Sequence, residues 1–418
     1  MEHRIKDISL SDKGKKKIDW AESHMPVLLS LKKKYEESKP LKELVVGGCL
    51  HVTKETAVLT KTLAAAGATV AWSGCNPLST NDDIAASLVK DEGLSVFASR
   101  GVSNKEYYDD IYSVLKFNPD ITIDDGADLT IEFHKTLDKY GKNIIGGTEE
   151  TTTGVQRLKA LETNSKLGYP IVAVNDAETK HDFDNVYGTG QSALDGIIRA
   201  TNVLLSGKTV VVAGYGHVGR GIASRARGHG ASVVITEIDP INALKARMDG
   251  FIVKPMEAAA SMGDVFITST GCKDVITGIH VEKMKDGVLL ANAGHFNVEI
   301  SIDDIKGIAQ DSKMINENVE QFLLKNNTKV NLIGEGRLVN LVAAEGHPSE
   351  VMDMSFANQF LSVLHILKNK GNLENKIYKI DRDQDLFIAS LKLESMGIDI
   401  DKLSESQNKY LNDYGEGT

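Results

Sequence analysis

Short apolar, β-branched blocks alternate with stretches of helical spacing along most of the chain. Residues 44–46 form one such block, followed by a Gly-rich loop, a helical stretch at 54–66, Gly67 and a second block at 69–72. Strand-length and helix-length segments in alternation predict a parallel α/β sheet. Further blocks at 85–89, 96–98 and 121–123 continue the pattern, and 144–146 adds a candidate strand. Upstream, residues 18–36 predict one helix with Trp20, Val27, Leu28 and Leu31 at core spacing and Pro26 as a kink or start. After Pro170 the run IVAVNDAETKHDFDNVYGTGQS is too polar and Gly-punctuated for a core element, so it predicts a functional linker leading to a helix over 193–205. A second alternation then begins, with apolar blocks at 209–213, 232–236, 265–270, 288–291 and 330–333.

The stretch GKTVVVAGYGHVGRGIASRARGHGASVVITEIDPIN opens this second unit and carries a glycine fingerprint. Gly214, Gly216 and Gly219 follow a strand and open a helix with G-x-G-x-x-G spacing. Gly214 permits the tight turn, Gly216 lets a pyrophosphate approach the backbone, and Gly219 lets the helix lie close on the strand. Glu237 ends the next strand, where a carboxylate accepts from ribose hydroxyls and repels a 2′-phosphate, so the fingerprint favours NAD over NADP. The segment after residue 333, GEGRLVNLVAAEGHPSEVMDMSFANQF, returns the chain to the first unit. The expected architecture is α/β, with two Rossmann-like doubly wound parallel-sheet domains and a small C-terminal tail. A substrate domain over 1–185 and 341–373 is expected to receive an inserted dinucleotide domain over 186–340, with a helical tail over 374–418. Two crossings between units imply a hinge.

Composition narrows the partners. A chain of 418 residues exceeds one ordinary core, and 41% hydrophobic with 25% charged residues is the profile of a soluble globular protein. A net charge of −10 gives no electrostatic reason to expect nucleic acid or an anionic membrane. Cys49, Cys75 and Cys272 are widely separated and form no metal-type spacing, which fits free thiols in a reducing cytoplasm. The first twenty residues lack an apolar stretch of signal-peptide type, and no apolar run is long enough to span a bilayer.

Polar groups recur where strands are expected to end: His51, Asn76, Asp125 and Glu150. Lys180, Asp184, His295 and His347 also lie in loops or Gly-rich segments, and loops beyond parallel strand ends are where α/β folds place their sites. GCNPLSTNDD, DDGADLT, EETTTGV, NDAETKHDFDN, GYGHVGRG, NAGHFNVEI and EGRLVNLVAAEGHPS occur in one collinear order from about Leu44 to Asn358. Together they resemble the S-adenosylhomocysteine hydrolase family, in the shorter prokaryotic or archaeal form.

The resemblance implies reversible hydrolysis of S-adenosylhomocysteine to adenosine and homocysteine, with one NAD held tightly per subunit and no net redox change. The 3′-hydroxyl is oxidised, which acidifies the C4′ hydrogen. Homocysteine leaves, water adds, and the ketone is reduced again. Carried over by motif position, Lys180 and Asp184 would handle the 3′-hydroxyl proton, with the lysine pKa lowered by burial and nearby positive charge. Glu150 would hold the 2′- and 3′-hydroxyls, and Asn175 and Asn185 would position ring and cofactor. Asp125 and His51 would serve the C4′ proton and the C5′ group, in an order left open. Thr53 and Glu55 would read adenine, with Asn76, Ser79, Asn81, Met352 and Phe356 also on the substrate side. His295 and His347 would lie over the homocysteine part or the hinge, near the cofactor. Thr151, Thr152 and Thr153 would contact NAD, as would His217, Val218, Thr270, Ala293 and Gly294. Glu237 and Asn242 would bind its adenosine ribose, and Asn340 its nicotinamide amide. No metal is implied, and homotetramers are usual in the family.

Several positions depart from the family pattern. Asn81 stands where Gln is frequent, Thr189 where Cys is frequent, His217 where Asp is common and Glu345 where an apolar residue often sits near the base. The chain ends KYLNDYGEGT, without the Lys and Tyr tail that reaches a neighbouring subunit's NAD in many members, which implies weaker cofactor retention. Glu345 and Asn81 keep S-inosylhomocysteine open as an alternative substrate. A 2-hydroxyacid dehydrogenase of similar layout and a non-catalytic relative are the remaining alternatives; the presence of Lys180, Asp184 and Asp125 counts against the last.

Overall fold

Two sheets organise the computed structural model, which describes residues 2–415; Met1 and residues 416–418, the end of the expected tail, lie outside the described residues. The first sheet takes Val45–Cys49 (β1), Thr69–Ser73 (β2), Ser95–Phe97 (β3), Ile121–Asp124 (β4), Gly146–Glu149 (β5) and Ile171–Ala173 (β6). The second takes Thr209–Ala213 (β7), Ser232–Thr236 (β8), Ile252–Val253 (β9), Val265–Thr268 (β10), Val288–Asn292 (β11), Ala309–Asn316 (β12), Val319–Leu324 (β13) and Lys329–Ile333 (β14). A last strand, Ile377–Lys379 (β15), rejoins the first sheet beside β6. The strand orders are β15-β6-β5-β4-β1-β2-β3 and β12-β13-β14-β11-β10-β7-β8-β9. The first sheet is parallel throughout, and the Rossmann-like second unit is inserted between β6 and β15.

Order reverses between β1 and β4 in one sheet and between β7 and β10 in the other. Chains leaving neighbouring strands at such a point run to opposite faces, so a crevice opens beyond the strand ends. The two crevices supply the site described below.

Several local expectations are corrected. Residues 18–36 are not one helix: Ser11–Glu22 and Pro26–Tyr35 are separate, and Trp20 is 63% exposed rather than in the core. The second helix starts at Pro26 because the carboxylate of Asp353 accepts from the Val27 and Leu28 amides at 3.1 and 2.8 Å. Residues 85–89 belong to helix Asp82–Lys90, and the strand expected at 144–146 is shifted to β5. The polar run after Pro170 is not a linker; it begins with β6 and continues as one long helix from Glu178 to Thr201. Within it His181–Gly188 is π-helical, the Thr189 amide reaching back to the Asp184 carbonyl. Wide turns of this kind concentrate at functional sites. The dinucleotide-side sheet is also not all parallel, since β12 and β13 form an antiparallel hairpin onto β14. Almost every residue of β12 is exposed, so no alternation marked it in the sequence.

The tail is structural. Besides β15 it supplies helix Arg382–Ser395, whose Lys392 ammonium lies 2.8 Å from Asp353 and whose Asp385 carboxylate accepts from the Glu178 and Thr179 amides at 2.9 Å each. Asp385 therefore caps the long helix just ahead of Lys180. Among the described residues no helix is long and apolar enough to cross a membrane. Removing a side-chain cap costs about 0.5–2 kcal/mol, so Asp385→Ala is expected to speed amide exchange around residues 178–181 by about tenfold in hydrogen–deuterium exchange; unchanged protection there would contradict the capping role.

Candidate active site

Loops from both sheets enclose a cavity of about 740 Å³. His51 follows β1, Asp125 follows β4 and Glu150 follows β5, while Gly214, Glu237, Thr270 and Ala293 follow β7, β8, β10 and β11. The long helix contributes Lys180, Asp184, Asn185 and Thr189, and its Gly190 meets Gly221 of the dinucleotide helix His217–Gly228. A Cβ on Gly221 would sit 2.0 Å from the Val186 carbonyl, so only glycine allows the two helices to approach this closely.

At the centre lies a buried charge cluster. Lys180 is 3% exposed, and its ammonium stands 2.8 Å from Asp184, 2.8 Å from the Asn185 amide oxygen and 3.7 Å from Glu150. Burial opposes the lysine charge, but the Asp184 and Glu150 carboxylates outweigh it and raise the pKa. The lowered lysine pKa expected from the sequence is thus corrected: the neighbouring charges are negative. Asp184 also pairs with His347; burial raises its pKa, yet His347 and Lys180 prevail and hold it well below the carboxylate range. His347 accepts or donates at 3.1 Å with the Thr189 hydroxyl. Burial lifts Glu150 to about 7, against the pull of Lys180, so this carboxyl titrates near neutrality.

Two residues that sequence reasoning missed hold Glu150. Ser355 and Gln359 donate to its two oxygens from helix Ser349–Lys368. Their i, i+4 spacing in SFANQ puts both on one helical face, a signal the sequence offers only once that face is known to meet β5.

Asp125 sits between two imidazoles, 3.4 Å from His51 Nε2 and 3.4 Å from His295 Nδ1. Ser79 engages His51 Nδ1 at 2.6 Å and thereby directs Nε2 toward Asp125. Burial pushes His51 down to about 4 despite that carboxylate, so the ring is neutral at ordinary pH. At the far end, Glu55 Oε1 accepts from Ser349 at 2.7 Å and lies 3.1 Å from the Lys54 ammonium, beside Thr53, Met352 and Phe356.

The dinucleotide side carries its own marks. Gly214 has φ +93°, and a Cβ on Gly219 would lie 2.0 Å from the Gly214 carbonyl, whereas a Cβ on Gly216 would meet nothing. The space beside Gly216 is where a phosphate group approaches a helix N-terminus. Glu237 accepts from the Tyr215, Ile238 and Asp239 amides at 2.7, 2.7 and 3.0 Å. Asn340 is fully buried and its Oδ1 has no partner among the described residues, as an acceptor awaiting a carboxamide would. The residues present therefore fit a dinucleotide. Glu299, absent from the sequence reading, shapes this wall: its carboxylate accepts from the Thr270 and Gly271 amides at 2.9 and 2.8 Å.

Thr151, Thr152, Thr153, His217, Val218, Asn242, Gly294 and Leu341 also line the cavity. Asn76, Ser79, Asn81, Asn175 and Gly219, expected at the ligands, stand behind it. Asn76 accepts from the Leu78 amide at 2.9 Å, and Asn175 accepts from Thr152 and Asn185 at 3.2 Å each. Asn81 precedes helix Asp82–Lys90 without capping it by side chain, and its amide bonds the Val52 carbonyl. Of these, Ser79 holds His51, and Asn175 holds Thr152 and Asn185, which reach the cavity. Glu345 is half exposed and touches the site only through Lys54, 3.9 Å away.

A family profile described as "S-adenosyl-L-homocysteine hydrolase" matches residues 2–142, and its "NAD binding domain" matches residues 185–346. Full-length similarity extends over all of both chains to the adenosylhomocysteinase of Sulfurisphaera tokodaii at 54% identity and that of Saccharolobus solfataricus at 55%. The S-inosyl-L-homocysteine hydrolase of Methanocaldococcus jannaschii is also 55% identical over all of both chains.

The His51 result has a measurable consequence. Between pH 6.5, its ordinary value, and about 4 the unfolded chain takes up a proton that the folded site refuses. This group therefore withdraws stability as pH falls through that window. Histidine-labelled NMR should show the His51 ring titrating near pH 4; a midpoint near 6.5 would contradict its burial.

Proposed function

The chain belongs to the S-adenosyl-L-homocysteine hydrolase family, and we propose that it hydrolyses S-adenosyl-L-homocysteine reversibly to adenosine and L-homocysteine. The observation that carries this reading is the Lys180–Asp184–Glu150 cluster in the same cavity as the glycine loop, Asn340 and Glu55. When bound, NAD⁺ supplies reversible acceptance of hydride from the sugar 3′-carbon. The chain's own groups move the protons. Because Lys180 is held as an ammonium, we assign the 3′-hydroxyl proton to the coupled unit of Lys180, Asp184 and Glu150 rather than to the lysine alone. Glu150, which titrates near neutrality, gives that unit capacity to accept and return a proton. Asn185 fixes the lysine from its other side.

Asp125 and neutral His51 serve the C4′ proton and the C5′ position, and His295 closes over Asp125. Buried walls keep water from a 3′-keto sugar until the addition step. Glu237 and Asn242 would hold the cofactor's adenosine ribose, Thr151 to Thr153 would contact NAD, and Asn340 would bind the nicotinamide carboxamide. The proposal includes one tightly held NAD per subunit, a homotetramer and a cytoplasmic location. Exposed Ile398, Ile400, Leu403 and Leu411 support subunit contacts through the tail, and three free cysteines support a reducing compartment.

One observation favours a second reading, S-inosyl-L-homocysteine as substrate. A carboxylate at Glu55 accepts from the amino group of adenine, but equally from the N1–H of hypoxanthine. Lys54, 3.1 Å from it, adds a donor suited to the hypoxanthine 6-oxygen. The relatives carry both names at similar identity. Held in the adenine pose, hypoxanthine would instead turn its 6-oxygen toward the Glu55 carboxylate, acceptor against acceptor, a mispairing that costs about 1–3 kcal/mol, so kcat/KM for the adenosyl compound should exceed that for the inosyl compound by about 5–150-fold. A preference in the other direction would overturn the adenine assignment.

Proton transfer by a positioned group contributes about 10²–10⁴-fold, so Lys180→Ala should lose turnover on that scale while retaining bound dinucleotide. Mixed with adenosine, it should show no absorbance of reduced nicotinamide. Asp125→Asn should show that absorbance and release no homocysteine; failure of Asp125→Asn to reduce its nicotinamide would place Asp125 at the wrong step.

A further inference from the structure

One cluster of metal-ligating side chains lies at the rim of the dinucleotide loop and shares only His217 with the cavity wall described above. His181 and Asp182 open the π-helical turn directly after Lys180, and His217 is the first residue of helix His217–Gly228. His181 Nδ1 lies 3.1 Å and His217 Nε2 3.4 Å from the same oxygen of Asp182, and the two rings are 4.3 Å apart. With bonds of about 2.0–2.1 Å to imidazole and carboxylate, neighbouring ligands of a tetrahedral ion stand about 3.3–3.4 Å apart. The two spacings to Asp182 lie near that edge, and one donor atom from each of the three residues falls within 4.8 Å of the others. We propose that His181, Asp182 and His217 form a binding site for one divalent transition-metal ion of the zinc class, clasping the lysine-bearing helix to the first turn of the dinucleotide helix.

The chemistry of the donors agrees. Two imidazoles and one carboxylate suit zinc, cobalt or nickel, and they leave a fourth position to water because Asp182 and His217 are about half exposed. An imidazole must be neutral to ligate. Burial and the nearby His181, Arg220 and Lys245 hold the His217 pKa below its ordinary value against the pull of Asp182. The same positive groups and the helix N-terminus disfavour a cation, and the diphosphate taken up beside Gly216 supplies the compensating negative charge.

A second candidate cluster, His51, Cys75 and Asp125, lies inside the cavity. Burial and the Asp125 carboxylate raise Cys75 well above its ordinary value, so its thiol keeps its proton and is a poor ligand. The two clusters are distinguishable by sulfur.

The test uses the NAD-loaded enzyme after dialysis against chelator. Zn²⁺ titrated calorimetrically at neutral pH should bind at one equivalent per chain, and Co²⁺ should give tetrahedral ligand-field absorption without a thiolate charge-transfer band. Loss of groups that merely support a metal ligand costs about 10–100-fold in affinity, so His181→Gln and His217→Gln should each weaken binding by at least about tenfold. Metal should also slow release of NAD from the unsubstituted enzyme and not from either variant. If one variant fails to fold, the other, on a different segment, decides. Absence of stoichiometric binding, binding unchanged in either folded variant, a thiolate band, or NAD release indifferent to metal would overturn the proposal.

Discussion

Burying one lysine in a protein interior constrains everything around it. An ammonium away from water needs charge and hydrogen-bond partners in good geometry, and removing one partner from such a pair costs about 3–5 kcal/mol. Lys180 finds Asp184 four residues on, Asn185 five on, and Glu150 from another element. Bringing these together requires β5 to end beside the long helix, Ser355 and Gln359 to fix Glu150, and Asp385 to cap the helix from the tail. Residues from four distant parts of the sequence thus answer to a single cation.

The same helix couples the two sheets. Its first turns belong with β6 and the substrate-side groups, and its later turns pack on the dinucleotide helix through glycines that admit backbone contact. A shift of either unit must therefore be felt at Lys180 and Asp184. His295 makes the reciprocal contact, carrying an imidazole from the loop after β11 to Asp125 after β4. The site is assembled from both topological switch points and is complete in neither sheet alone.

Legibility in the sequence followed the strength of local signals. The glycine fingerprint, Glu237 and the buried apolar strands were readable because backbone geometry and burial dictate residue type at those positions. Strands such as GGTE in β5 and the exposed β12 were not, since their residues carry no period and their pairing comes from neighbours. The π-helical segment read as a linker because its polar side chains serve the cavity and each other instead of solvent. Candidate ligand residues were named by loop position and motif; the cavity separates those on its wall from Asn76, Ser79, Asn81 and Asn175, which stand one layer behind. The direction of the Lys180 shift was beyond sequence reasoning, because it depends on which charges fold against it. Asp385 and Asp353 carry no local mark at all: the helix amides they cap lie hundreds of residues away.

On the proposed function, sugar chemistry at the lysine cluster runs only with a dinucleotide in the adjoining part of the cavity. Purified enzyme stripped of dinucleotide should be assayed for homocysteine release from its thioether nucleoside, before and after NAD⁺ is returned. No release is expected before and recovery after; cleavage at full rate by the stripped protein would rule out a dinucleotide-dependent reaction.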